Sequence, residues 1–273
     1  MSIIYWLRTR KYDITADNYS LIKTKMINLQ QKTTSNAFYN YMNRSFILIL
    51  SIFLAIQAHA LTPYEANYSL YVKTLLGKHN IGSAHFNLTV NDNNYYIYTT
   101  EASTESIWKA LYDYSGSEKS IGVEVDGELI STFFSVRERV GGSIKKNYGI
   151  TIIDRNYAIS SNGKEWKVDP GVLVDQLSVY LALSIDIQKN PDQVEFIYQV
   201  VDEDGVEYQK FFVSGYETLN INDKEMEAIV INCPELRLTL SLSVEHNLQP
   251  LLISKINGQT EFILILKDFK TPS

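Results

Sequence analysis

Ser83–Thr100 reads SAHFNLTVNDNNYYIYTT. Ala84, Phe86, Leu88 and Val90 alternate with Ser83, His85, Asn87 and Thr89, which is the period-two pattern of a half-buried strand. Asn91-Asp92-Asn93-Asn94 follows, and Asn and Asp tolerate the left-handed backbone that tight turns require. Tyr95 to Thr100 then resumes an aromatic and β-branched run. The stretch predicts a β-hairpin.

The same pattern extends in both directions. Tyr64–Leu70 alternates cleanly. Asp126-Gly127 separates Ile121–Val125 from Leu129–Val136, and Gly141-Gly142 leads on to Ser143–Ile153. Asp204-Gly205 links Val194–Val201 to Val206–Val213, and Asn222-Asp223 links Tyr216–Ile221 to Glu225–Asn232. Asn257-Gly258 precedes a last apolar strand, Glu261–Leu266. This is a meander of antiparallel strands with no long linker and no solenoid repeat.

Two segments depart from it. Ser106–Tyr112 has the composition of one or two helical turns. Val172–Lys189 predicts the principal helix: Leu173, Leu177, Tyr180, Leu181 and Ser184 share a face, widened by Val174 and Leu183. Pro170-Gly171 precedes it, Asp175 places negative charge near its start, and Asn190-Pro191 ends it. The expected fold is an all-β domain: a long antiparallel sheet curled into a half-barrel or folded into a sandwich, with one principal helix packed on its concave side.

Upstream of the strands stands an export signal. Phe46–Ile56 reads FILILSIFLAI, uncharged, with Met42-Asn43-Arg44 before it and the small-residue motif Ala58-His59-Ala60 after it. The run is shorter than the roughly 20 residues a membrane-spanning helix needs. Residues 42–60 therefore read as a signal peptide cleaved between Ala60 and Leu61. Residues 1–41 read as a mis-assigned start or a disordered leader, with an uncleaved anchor carrying a cytoplasmic tail as the alternative. Residues 61–273 form one domain, placed in the periplasm or secreted.

Removing the leader changes the charge. Residues 1–60 hold seven of the 25 Lys+Arg and two of the 31 Asp+Glu, leaving 18 basic and 29 acidic residues and a formal charge of −11. That balance argues against nucleic acid as a partner and against electrostatic docking of the chain as a whole on anionic lipid. Cys233 is the sole cysteine, so no intrachain disulfide forms, and no Cys follows the cleavage site to carry a lipid anchor.

The chain carries none of the common catalytic signatures: no G-x-S-x-G, no P-loop and no G-x-G-x-x-G. Cys233, before Pro234, reads as a buried thiol. His79, His85 and His246 lack the spacing of a zinc site, and Asp202-Glu203-Asp204-Gly205 is too short a ligand ladder for calcium. No cofactor and no metal are expected. Glu101, Glu105 and Asp113 lie near Trp108, Tyr112 and Tyr114 and are the carboxylates a glycosidase-like mechanism would draw on. Trp108, Tyr112, Tyr114 and Trp166 lie near turns or strand edges, where aromatics line ligand grooves or cover the open ends of a sheet.

Several segments resemble the exported bacterial domain family DUF 3108. They are YEANYSLYVKTLLGKHNIGSAHFNL (64–88), DQLSVYLALSIDI (175–187), FIYQVVD (196–202), VSGYETLNI (213–221), MEAIVI (226–231) and NLQPLLISKINGQTEFILILKDF (247–269). Where that family often has Tyr or Trp before its last Pro-containing turn and Gly near position 223, this chain has Ser243-Val244-Glu245 and Asn222-Asp223-Lys224. The resemblance implies export and a single β-rich domain of unknown function, and supplies no site.

Taken together these features point to a non-catalytic envelope protein that binds a hydrophobic or glycan ligand, or another envelope protein. A carboxylate-dependent envelope hydrolase is the alternative. N-terminal sequencing of the native protein is expected to begin at or near Leu61; an intact Met1 would contradict export.

Overall fold

The computed structural model describes residues 61–168 and 171–271. The leader, the signal segment 42–60 and Ala60 lie outside the described residues. In chain order the elements are β1 (Tyr64–Thr74), β2 (Gly77–Val90), β3 (Tyr95–Thr104), α1 (Ser106–Leu111), β4 (Tyr114–Val125), β5 (Glu128–Val140), β6 (Ser143–Ile153), β7 (Tyr157–Ser160) and β8 (Glu165–Lys167). They continue as β9 (Leu173–Asp175), α2 (Ser178–Lys189), β10 (Glu195–Val201), β11 (Val206–Ile221), β12 (Lys224–Cys233), β13 (Leu238–Ser243), β14 (Pro250–Asn257) and β15 (Thr260–Lys270).

All fifteen strands form one sheet in the order β8-β7-β6-β5-β4-β3-β2-β1-β15-β14-β13-β12-β11-β10-β9. Every neighbouring pair is antiparallel except β9 with β10. The first and last strands pair at the centre, and the middle of the chain supplies both edges. Laid flat, fourteen strand spacings would separate β8 from β9 by about 67 Å. The six backbone steps from Lys167 to Leu173 reach at most about 22 Å. The sheet must therefore curl until its edges approach, and it does so without closing a hydrogen-bond ladder between them.

Side chains hold the two edges together. Lys164 Nζ donates to the Glu203 carbonyl at 3.1 Å. On the β9 side, Gln176 Nε2 donates to Asp202 Oδ2 at 2.9 Å and ties β9 to its sheet neighbour β10. The deepest tie is Asp175, fully buried at the end of β9. Its Oδ2 accepts the hydroxyls of Ser120 on β4 at 2.6 Å and Ser131 on β5 at 2.5 Å. Its Oδ1 accepts the backbone N–H groups of Leu177 at 2.9 Å and Ser178 at 2.8 Å. One carboxylate thus spans the barrel interior and caps a helix.

That cap corrects the expected helix start. Val172–Lys189 is not one continuous helix. Leu173 and Val174 bury in edge strand β9, paired with Gln199 and Val200, and the helix begins at Ser178, after the Asp175 side chain has satisfied its first amides. The helix is also more buried than one apolar face implies: Ser178, Val179, Leu181, Ala182, Leu183, Ile185 and Ile187 are all buried. Polar tethers fix it between hairpin turns. Lys189 Nζ donates to the Asp126 carbonyl at 3.2 Å, and Ser184 Oγ to the Leu248 carbonyl at 3.3 Å. Strand β11 unites the two segments expected on either side of Ser214; Gly215, at φ +144°, sits where the register shifts and the strand bends. The turn mechanism read from Asn and Asp holds, with positive φ at Asn94 (59°), Asp126 (53°), Asn222 (52°) and Asp223 (64°).

The core is rich in tyrosine, and each buried hydroxyl has a partner. Tyr64 donates to Tyr98 at 2.9 Å, Tyr68 to the Pro250 carbonyl at 2.9 Å and Tyr198 to Asp186 at 2.6 Å. Tyr96 meets Ser120 Oγ at 3.3 Å. Replacing Asp175 with Ala strands two hydroxyls and two amides, and is expected to cost about 3 kcal/mol or more in urea unfolding. Asp175→Asn keeps one acceptor oxygen and is expected to lose less.

Candidate functional site

The strands outrun the helix they enclose, and space remains beside its first turn. A cavity of about 220 Å³ lies between Leu177, which precedes α2, Tyr180 of α2 and the inner faces of β2–β5, β14 and β15. Phe86, Val136, Ile253 and Leu264 give it an apolar wall, while Glu118 and Glu138 bring two carboxyl groups to it. At about 30 Å³ per molecule it would hold roughly seven waters. It suits one end of a ligand and is smaller than typical sites for whole drug-sized molecules.

Glu118 is the chemical focus. The Thr100 hydroxyl donates to its Oε2 at 3.4 Å. Burial pushes its carboxyl above the ordinary range and the charge of Asp175 adds to this, while Thr100, Lys255 and Lys146 pull the other way. Burial likewise raises Tyr114, to about 12. Tyr180 is raised by burial and by the charge of Glu118. In each of the three, burial disfavours the charged form, as suits a mostly apolar pocket with a few polar contacts.

The period-two register explains the pair. Glu118 faces Val136, and Gly116 faces Glu138, so the two acids are diagonal neighbours on the same face of β4 and β5. On β4 the inward set is Gly116, Glu118, Ser120, Gly122 and Glu124, while Ile121 and Val123 are only partly covered on the other face. Apolar alternation alone would point the strand the opposite way, and so it conceals Glu118. Two contacts fix the inverted facing: Ser120 serves Asp175, and a Cβ on Gly122 would lie 2.1 Å from the Ile130 carbonyl oxygen and 2.6 Å from the Tyr96 ring.

Of the four aromatics singled out by sequence, Tyr114 lines the cavity. Tyr112 stacks on it, with ring centroids 6.4 Å apart and planes 5° from parallel, and is 53% exposed. Trp108 lies elsewhere, against His79 at 5.7 Å between α1 and β2. Trp166 packs on the core from edge strand β8, its indole nitrogen beside Gly205. The structure thus joins Tyr112 to Tyr114 and places neither tryptophan with them.

The acids near Trp108 do not converge. Glu101 lines a polar trough of about 390 Å³ on the outer face, with His85, Ser117 and Arg137, and is its sole carboxylate. His85 Nδ1 lies 2.9 Å from Asn67 Oδ1, and Asn67 Nδ2 donates to Asp268 Oδ1 at 2.7 Å, so the ring is held from below. Glu105 accepts the Ser83 hydroxyl, and Asp113 sits in the link from α1 to β4. Asp202 Oδ1 accepts the amides of Asp204 and Gly205 within its own turn. Cys233 is buried, and burial pushes its thiol up. Among the described residues no three His, Cys, Asp or Glu side chains cluster to hold a metal, and no helix is long and apolar enough to cross a membrane.

The rim above the cavity is unusual. β1, β3 and β5 end, and β2, β4 and β6 begin, at the same end of the sheet, where α1 also lies. There the tip residues Leu75 and Leu76 are 91% and 90% exposed, and Ile107, Leu111 and Tyr112 of the adjoining segment are exposed as well.

The fold defines an open, barrel-like β domain with a helix inside it. No family model matches the chain, and no curated protein matches it. Among solved structures, the crystal structure of a beta-barrel-like protein of domain of unknown function DUF1849 from Brucella abortus is similar. The likeness covers 78% of this chain and 99% of that one, at 11% identity and a TM-score of 0.54. At that identity it shows the fold and nothing further.

A glutamic acid whose pKa is raised on folding contributes stability at low pH that is lost as pH rises from its unfolded value through its folded one. Glu118→Gln removes that loss. The variant is expected to be more stable than the parent at neutral pH, with a flatter stability profile above about pH 4.5; a parallel profile in urea titrations would contradict the assignment.

Proposed function

We propose that this chain is an exported envelope protein, periplasmic or secreted, whose barrel-like domain binds the apolar end of a ligand without catalysing a reaction. The cavity beside α2 carries this reading, because it combines apolar walls with the carboxyl of Glu118, whose charged form burial disfavours, and with the Tyr114 ring on which Tyr112 stacks. The uncharged segment 46–56 and the small residues Ala58 and Ala60 support export, as does the resemblance to DUF 3108. The exposed leucines and α1 side chains at the rim suit an apolar ligand or an envelope partner.

A carboxylate-dependent hydrolase is the second reading. Glu118 and Glu138 favour it, since they line one cavity from adjacent strands. Their shared apolar surround and the small volume favour binding over turnover.

Native mass spectrometry of the purified protein is expected to show a co-purified apolar molecule. Ala102→Leu, which fills the cavity from β3, is expected to weaken binding of an apolar fluorescent probe by about tenfold while leaving the unfolding midpoint nearly unchanged. Unchanged probe binding would argue against the cavity. Turnover of a glycan or ester substrate that Glu118→Gln abolishes would favour the hydrolase.

A further inference from the structure

We infer that Glu124 is the seat of a new amino terminus: cleavage between Ala60 and Leu61 creates an ammonium group that pairs with the buried Glu124 carboxylate. The inference rests on the export reading above and goes beyond it, to what the cleaved end does.

Two independent observations meet at one atom. In the sequence, the small residues Ala58 and Ala60 select the Ala60–Leu61 peptide bond. In the structure, the nitrogen of that bond donates to Glu124 Oε2 at 3.1 Å. Glu124 faces inward from β4 and is only 5% exposed. The ion pairs among the described residues are Lys73–Glu261, Arg155–Glu128 and Lys210–Glu195, and Glu124 belongs to none of them. A carboxylate held that deep without a counter-charge is costly, and one neutral amide compensates little of the cost.

Hydrolysis supplies the missing charge. Water adds across the Ala60–Leu61 bond; the C–N bond breaks, Ala60 leaves as a carboxylate, and the Leu61 nitrogen becomes an ammonium with three N–H donors in place of one. The catalyst is the exporting cell's signal peptidase. The new end is already held in place: the Leu61 side chain packs on the core, and Asn247 Nδ2 donates to the Thr62 hydroxyl at 3.1 Å. Little chain entropy is left to lose when the pair forms, which is what distinguishes it from a loose surface ion pair. The processed domain thereby gains an interaction that the precursor lacks.

The test uses the full chain, produced in an exporting cell. An intact mass beginning at Leu61 is expected; a product beginning elsewhere removes the export reading and the proposal with it. Given that product, Glu124→Gln is expected to lower the thermal midpoint of the processed protein by at least about 5 °C. In the full chain made uncleavable by Ala58→Phe and Ala60→Phe, the same substitution is expected to change it little, because a glutamine oxygen accepts an amide N–H equally well. Equal losses in both forms overturn the pairing while leaving cleavage established. Should Glu124→Gln fail to fold, the parent protein answers alone. Its Leu61 amine is expected to react with an amine-directed ester about tenfold more slowly folded than unfolded in urea, and equal rates overturn the proposal.

Discussion

Five residues connect the two outermost strands of a fifteen-stranded sheet, and the rest of the structure follows from that tether. A sheet this wide has the twist to curl, but twist alone leaves open how far it goes. The short link from β8 to β9 removes the choice: the edges must come within reach of one another, the concave face becomes an interior, and something must fill it. The pairing of β1 with β15 at the centre has the opposite effect, holding the first and last strands together far from the edges. Curl is imposed by connectivity, and filling is left to side chains.

Filling explains the polar inner face of β4. An interior lined wholly with aliphatic groups would need no Ser120, Ser131 or Asp175. Here the edge strand β9 has one neighbour in the sheet, and its other side is held by two hydroxyls reaching Asp175. The same carboxylate caps α2, so the position of the helix and the position of the edge are set by one group. Hydrogen bonds of this kind specify geometry more sharply than apolar contact, and a single unsatisfied member would be expensive. The buried tyrosines share that logic, combining large apolar rings with hydroxyls that each find a partner.

The sequence discloses the strands more readily than their facing. Hairpins governed by Asn91–Asn94, Asp126-Gly127 and Asn222-Asp223 are legible because the turn residues have a mechanism, and their backbones are left-handed as expected. β13 and β14 are absent from the strands expected from sequence, although β13, LTLSLS, alternates as β2 does. β7, β8 and β9, at three or four residues, are too short to show a period. The start of α2 is hidden because Leu173 and Val174 fit a helical face and an edge strand equally well; only the contacts of Asp175 decide. Of the site, Tyr114 was visible as an aromatic beside a turn. Glu118 was not, since an acid on an alternating strand reads as solvent-facing until partners across the interior are known.

The cavity itself follows from a mismatch of lengths. A helix of twelve residues spans about 18 Å, whereas a strand of fourteen can span about 46 Å. Helix α2 is drawn toward the end where Lys189 meets the β4–β5 turn and Ser184 meets the β13–β14 turn. Space therefore remains toward the opposite end, the end that carries α1 and the exposed Leu75 and Leu76. Larger side chains at Ala84, Ala102 and Gly116 would close it, and the chain places the smallest residues there instead. Setting Glu118 into that gap adds a desolvation cost on top of lost packing. Two costs at one place, in a domain otherwise packed with satisfied tyrosines, set this cavity apart from the ordinary defects of a curled sheet and make it the place where a ligand has the most to contribute.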